Sequence, residues 1–176
     1  MFVGIVIFMK HEKNTNETLH NRLIIIDIEC YNGGPVTSAA QAQWCHRTLL
    51  NWVTPSEDDL IILATDISTV TNLHSMWGSH RILVGRGKDG ADLRLLEVLE
   101  EDVAGRFKEV SLVSGDHIFA EKISQLAGEG IPTTVYCHES SLSKRLAFAA
   151  TTVITSPSHP TPPPMAPAVV SLRKVA

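Results

Sequence analysis

Four aspartates and one glutamate in this sequence stand where apolar runs end or helical stripes begin. Asp27 closes the run LIIID, Glu29 lies two residues beyond it, and Gly33-Gly34 then permit a sharp exit. Asp66 follows DLIILAT, and Asp116 follows EVSLVSG. Asp92 precedes Leu95, Leu96, Leu99 and Val103 at offsets of 3, 4, 7 and 11, so a carboxylate heads the core-facing stripe of a helix. Each acid also has a structural reading. Asp116 suits a helix N-cap, Asp92 suits the positive end of a helix dipole, and Asp27 suits a solvated strand end. Taken together they suggest chemistry, because carboxylates that converge on one pocket repel and a hard, oxygen-seeking cation relieves the repulsion. Mg²⁺ or Mn²⁺ is the expected ion, held by Asp27, Asp92 and Asp116 with Glu29 or Asp66 as substitutes. Such an ion activates water for phosphodiester cleavage.

The elements that must position these acids are readable from periodicity. Aliphatic runs predict strands at Leu23–Asp27, Asp59–Thr65, Arg81–Gly85, Glu109–Ser114 and Pro132–Cys137, with a sixth at Thr151–Thr155. Between them lie helical patterns at Ser38–Val53, 67–78, Ala91–Ala104, His117–Ala127 and Ser141–Ala149. In the first, Ala42, Cys45, Leu49, Trp52 and Val53 share a face. Regular alternation of strand and helix, with strands apolar throughout, predicts an α/β fold with a parallel sheet of five or six strands flanked by helices. Ligands of such sheets bind beyond the carboxyl ends of the strands, at the switch in strand order. If strands one and four are neighbours, Asp27 and Asp116 face each other there.

The bulk properties frame this reading. The chain has 176 residues, 44% hydrophobic and 19% charged, with a formal net charge of -4, which suits one globular domain. A mildly acidic total leaves a local basic patch free to bind phosphates. The apolar start MFVGIVIFMK is too short to span a bilayer and lacks a basic leader and a cleavage site, so neither membrane nor secretion is expected. Three cysteines without a CxxC pair argue against a disulfide framework and fit a reducing cytoplasm. Cys45-His46 and Cys137-His138 offer four zinc-type donors, but adjacent residues diverge. The simpler reading is two buried thiols beside two surface histidines. Residues 1–21 read as an extension and linker, 22–155 as the folded domain, and 156–176 as a proline-rich tail expected to be disordered.

The segments IIIDIECYNGG, KDGADLRLLEVLEE, VSLVSGDHIFAEKISQLAGEGI and LSKRLAFAA, in this order, resemble the NYN branch of the PIN-like nucleases. The resemblance spans about residues 22–155. It implies a Rossmann-like, PIN-like sheet and metal-dependent endoribonuclease activity on RNA, with catalytic and metal-binding roles at Asp27, Asp92 and Asp116. Two positions depart from the family pattern. Cys30 stands where many members have asparagine, and Ile118 where many have a further aspartate, although some bacterial members of the GD-x-I-F form lack that aspartate too.

Arg86 and Lys88 after strand three, and Lys144 and Arg145 in LSKRL, would hold RNA phosphates near the same edge; the alternative is a solvated surface. Three other functions compete. One is a catalytically inactive module that binds RNA or protein. The second is a haloacid-dehalogenase-like phosphatase, which also begins on hydrophobic-DxD but wants an acid of the other length at Glu29 and a following threonine. The third is a dinucleotide-binding protein, for which GRGKDG has the wrong glycine spacing. Substrate RNA and oligomeric state, homo-oligomer included, are open at this level.

Overall fold

A computed structural model describes residues 20–156. The proline-rich tail beyond 156 and the extension before His20 lie outside the described residues. The elements run β1 (His20–Asp27), α1 (Ile28–Asn32), α2 (Ala39–Val53), β2 (Leu60–Asp66), α3 (Val70–Trp77), β3 (Arg81–Gly85), α4 (Gly90–Leu99), β4 (Phe107–Val113), α5 (Ala120–Gly128), β5 (Thr133–His138), α6 (Lys144–Ala149) and β6 (Thr152–Ser156). Single turns of 3₁₀-helix at His117–Phe119 and Glu139–Ser141 precede α5 and α6.

All six strands pair in parallel, in the order β3-β2-β1-β4-β5-β6. This is the Rossmann-like, doubly wound order, and it places the reversal of strand order between β1 and β4. β1 is the central strand. Leu23 and Ile25 point into the core shared with α4, α5 and α6, while Ile24 and Ile26 point into the core shared with α1, α2 and α3. All four are fully buried, which is why the strand shows no polar alternation.

The structure shifts several expected boundaries. His20 and Asn21, read as linker, begin β1. Ser156, read as the start of the tail, ends β6, where its hydroxyl bonds to His138 Nδ1. The helix expected over Ala91–Ala104 stops at Leu99. Glu100, Glu101 and Asp102 follow, and three carboxylates oppose the negative end of a helix dipole. Val103 remains buried in the core although it has left the helix. The helix α1 had no periodicity to announce it. Asp27 caps it and Gly33 ends it in a left-handed conformation, φ 75°. The two Cys-His pairs do not converge on zinc. Cys45 lies in the core on one face of the sheet and Cys137 in the core on the other. His138 is buried rather than at the surface, bonded through Nε2 to the Tyr31 carbonyl.

At the amino end of the sheet, Arg22 ties β1 to the segment before β2. Its Nη2 donates to Asp59 Oδ2 at 2.8 Å and to the Thr54 carbonyl at 3.1 Å, and the Ser56 N–H donates to the same Asp59 oxygen at 2.8 Å. Burial opposes the Asp59 charge, but the Ser56 and Arg22 donors outweigh it and hold the carboxyl below its usual range. Its contribution is therefore present above the unfolded value of 3.8 and is lost as pH falls through the lowered folded value. Asp59→Asn should lower urea stability at pH 7 by about 1–3 kcal/mol, because the half-buried Arg22 charge is left with only the longer contact to Glu109 at 3.5 Å. The gap to wild type should narrow in urea titrations at progressively lower pH.

Candidate functional site

The carboxyl ends of β1 and β4 form the floor of the site. Asp27 is the last residue of β1 and is only 5% exposed, so it is not the solvated strand end that its position allowed. Its Oδ1 accepts from the Cys30 N–H at 3.0 Å, which starts α1. Its Oδ2 accepts from the Ser114 hydroxyl at 3.0 Å. The Ser114 Oγ in turn accepts from the Asp116 N–H at 3.2 Å. One hydroxyl thus sets the position of both acids, each at the end of a different strand.

Asp92 comes from the first turn of α4 and shares a hydrogen bond with Asp27. Burial raises the Asp27 carboxyl above its ordinary range, while the Cys30 N–H, the Ser114 hydroxyl and Asp92 pull the other way. Asp92 gives more. Burial first, then the charges of Asp27 and Asp116, the bond to Asp27 and the charge of Asp89, push it up to about 7. The hydrogen bond between the two carboxyls needs a proton, and the pair holds one near neutral pH.

Asp116 is the half-buried third member. Its Oδ1 accepts from the Ile118 N–H at 2.9 Å and lies 2.9 Å from His117 Nδ1. It therefore caps the turn after β4, as its structural reading predicted, and its charge also reaches Asp92. Capping and clustering are not alternatives here.

The two substitutes fall differently. Glu29 lies close enough to Asp27 to raise its carboxyl, but its Oε1 accepts from the Asp66 N–H at 3.0 Å and from Thr65 Oγ1 at 3.4 Å. That oxygen braces α1 against the end of β2. The Asp66 carboxylate is turned to Ser68, accepting from its N–H at 2.9 Å and its hydroxyl at 2.7 Å, and these bonds hold it below its usual range. Ile118 is half-buried against the core, so an acid there would cost packing.

Residues with no place in the site by sequence alone complete the floor. Cys30 Sγ accepts from the Gly115 N–H at 3.3 Å, and burial raises its thiol. The Gly115 carbonyl accepts from the Ser143 N–H at 2.9 Å, and a Cβ on Gly115 would stand 2.3 Å from the Ser141 carbonyl oxygen. The glycine of SGD is required by this close approach of two loops. The SGD motif carried the signal for Ser114 and Gly115; nothing in the sequence marked Ser141 as their neighbour.

Arg86 and Lys88 are exposed on the loop between β3 and α4, beside Asp89 and Asp92. Lys144 and Arg145 are exposed on the first turn of α6, whose start is held to the Gly115 loop by Ser143. The two pairs flank the acids from opposite sides. With strands about 4.8 Å apart, β3 and β5 are about 19 Å apart. None of the four makes an ion pair among the described residues. Arg145 also lines a groove between α5 and α6, away from the acids.

By donor type the three carboxylates fit a hard divalent cation, and the proton held between Asp92 and Asp27 marks charge that such an ion would neutralise. Among the described residues, no three His, Cys, Asp or Glu side chains already surround a common point as ligands. Ion binding would have to release the Asp92 proton and turn the half-exposed Asp116 inward.

No protein-family model matches the chain, and no curated protein matches it. Among solved structures it is similar to a protein of unknown function from Vibrio parahaemolyticus, at 15% identity and a TM-score of 0.54, covering 78% of this chain and 93% of that one. The likeness agrees with the α/β fold. No helix among the described residues is long and apolar enough to cross a membrane.

The raised Asp92 carboxyl has a thermodynamic sign. Between 3.8 and about 7 the folded state holds a proton that the unfolded state has lost, so stability falls as pH rises through that window. Asp92→Asn removes the loss. In EDTA at pH 8 the variant should be more stable than wild type by about 1–2 kcal/mol, since solvent reaching this partly exposed carboxyl screens the rest. At pH 4 the two should melt together. A variant less stable than wild type at pH 8 would contradict the crowding of charge.

Proposed function

We propose that this chain is a metal-dependent ribonuclease of the PIN-like kind that its sequence resembles. The observation that carries the reading is the meeting of Asp27, Asp92 and Asp116, from three separate elements, at the switch in strand order, with one of them protonated near neutral pH. Mg²⁺ or Mn²⁺ held by these three would supply a Lewis acid for the phosphate and a bound water of lowered pKa. The chain's own residues do the rest. Asp92 and Asp27 would give up the proton they share as the site fills. Ser114 keeps Asp27 and Asp116 aligned through its hydroxyl. Arg86 and Lys88 on one flank, and Lys144 and Arg145 on the other, would hold the RNA backbone by its phosphates, which orients the strand without reading bases.

A second reading, an inactive module that binds RNA or protein, is favoured by a specific feature. Both oxygens of Asp27 and one of Asp116 already accept hydrogen bonds from the protein, and Cys30 and Ile118 replace polar residues of the family pattern.

Cleavage of mixed single-stranded and structured RNA, with Mn²⁺, Mg²⁺ and EDTA arms, separates the two. Wild type should cleave with either ion and stop in EDTA. Asp27→Asn and Asp116→Asn should each reduce cleavage by roughly 100-fold or more, because each removes a charge that the ion needs. Equal cleavage by wild type and Asp27→Asn, or no Mn²⁺ binding by calorimetry at millimolar concentration, would replace the nuclease reading with the binding module.

A further inference from the structure

Phe148 on α6 is 91% exposed, against 47% for Ile67 and 52% for Leu93, the other large apolar side chains left outside among the described residues. A lone apolar side chain on a surface is ordinary. This one lines an open groove of about 520 Å³ between α5 and α6, together with Ala120, Glu121, Ser124, Arg145 and Ala149. That volume is within the range of clefts that take small organic ligands. Arg145, Phe148 and Ala149 share one face of α6, and Ala120, Glu121 and Ser124 share one face of α5, since residues three and four apart are neighbours on a helix. An aromatic ring, a carboxylate and a guanidinium therefore border one space.

Each of the three has its own chemistry. Phe148 presents a π-face on which any nucleobase stacks. Arg145 presents a donor fork suited to phosphate. Glu121 presents a carboxylate, which only accepts hydrogen bonds. Neither charge makes an ion pair among the described residues. A phosphate alone would be repelled by Glu121, whereas a nucleotide whose base carries donors matches all three groups. Guanine has two adjacent donors on its Watson–Crick edge, N1–H and the N2 amino group, and they fit the two oxygens of one carboxylate. Adenine and cytosine set a ring acceptor beside the amino donor, and uracil sets its one N–H between two carbonyls. A carboxylate meets a repelling lone pair on each of these. The groove is also close to the acids along the chain: only the 3₁₀ turn His117–Phe119 separates Asp116 from Ala120.

We propose that the α5–α6 groove is a base-binding subsite that takes a guanine of single-stranded RNA, stacked on Phe148, with its Watson–Crick donors on Glu121 and an adjoining phosphate on Arg145. The small side chains of Ala120, Ser124 and Ala149 leave room for the base. The strand is single there, because in a duplex both the face and the edge of the base are already engaged. The inference rests on the reading of this chain as one that takes RNA. It keeps Arg145 in the phosphate-holding role of that reading and adds which RNA is preferred. Its own content is binding, which needs no metal.

Fluorescence anisotropy of the full chain in EDTA tests it, with a short uridine oligomer and the same oligomer carrying one guanosine. The guanosine oligomer should bind about 10-fold more tightly, and inosine in its place, which lacks the N2 amino group, should lose part of that gain. Glu121→Gln should remove the preference without weakening the all-uridine oligomer. Phe148→Ala should weaken both oligomers by about 10-fold without changing the circular dichroism, since the side chain is outside the core. Equal binding of the two oligomers by wild type overturns the inference. So does a preference that persists in Glu121→Gln, or an affinity unmoved by Phe148→Ala. A wild-type dimer that Phe148→Ala dissociates would give the groove to a second copy and also overturn it. Cleavage is read apart from binding. A preference that depends on Glu121 in a chain that never cleaves RNA would end the nuclease reading and keep the subsite. Cleavage that depends on Asp27 with no base preference would keep the nuclease and end the subsite.

Discussion

A carboxylate withdrawn from water at the end of the central strand sets the conditions for everything around it. Removing Asp27 from solvent is costly unless donors replace the lost hydration, and the structure supplies them from three directions. The Cys30 N–H comes from the helix that Asp27 itself starts, the Ser114 hydroxyl from the neighbouring strand's end, and the proton shared with Asp92 from the helix across the site. Each donor also fixes an element. α1 cannot begin elsewhere, the Ser114–Asp116 turn is drawn to β1, and α4 must present its first turn to the sheet's centre. Satisfying one buried carboxyl thereby assembles the carboxyl edge.

The same edge is tightly built from backbone. The loops at Gly115 and Ser141–Ser143 approach so closely that no side chain fits at Gly115, and Gly85 has the same constraint, where a Cβ would stand 2.2 Å from the Ala91 N. These contacts hold the starts of α4 and α6 at fixed places beside the acids. The basic residues Arg86, Lys88, Lys144 and Arg145 therefore sit on loops and first turns whose anchors are rigid, while their own side chains remain in solvent.

Much of this was legible in sequence. Continuous aliphatics in β1 and β4 announced buried parallel strands, and the switch-point rule made Asp27 and Asp116 neighbours. Asp92 was legible because helical spacing put it in line with Leu95 and Leu99. Other features depended on contacts that no local pattern encodes. Glu29 reads as one more acid of the cluster, yet one of its oxygens braces β2 through the Asp66 N–H. His138 reads as a surface residue after a cysteine, yet tertiary partners on α1 and β6 bury it. Periodicity carried α4 on to Val103, whereas three successive carboxylates end the helix at Leu99. Sequence spacing identifies which residues share an element's face; it does not say which neighbours will use their polar atoms.

The central claim is that Asp27, Asp92 and Asp116 form one electrostatic unit with a place for a divalent cation. Carbon NMR of the aspartate carboxyls, titrated with and without Mg²⁺, addresses it most directly. The account expects one carboxyl, lost in Asp92→Asn, to titrate at about 7 without the ion and to move well toward the ordinary carboxylate range when Mg²⁺ is added. An Asp92 that titrates near 3.8 in the absence of the ion, or that ignores Mg²⁺ altogether, would contradict it.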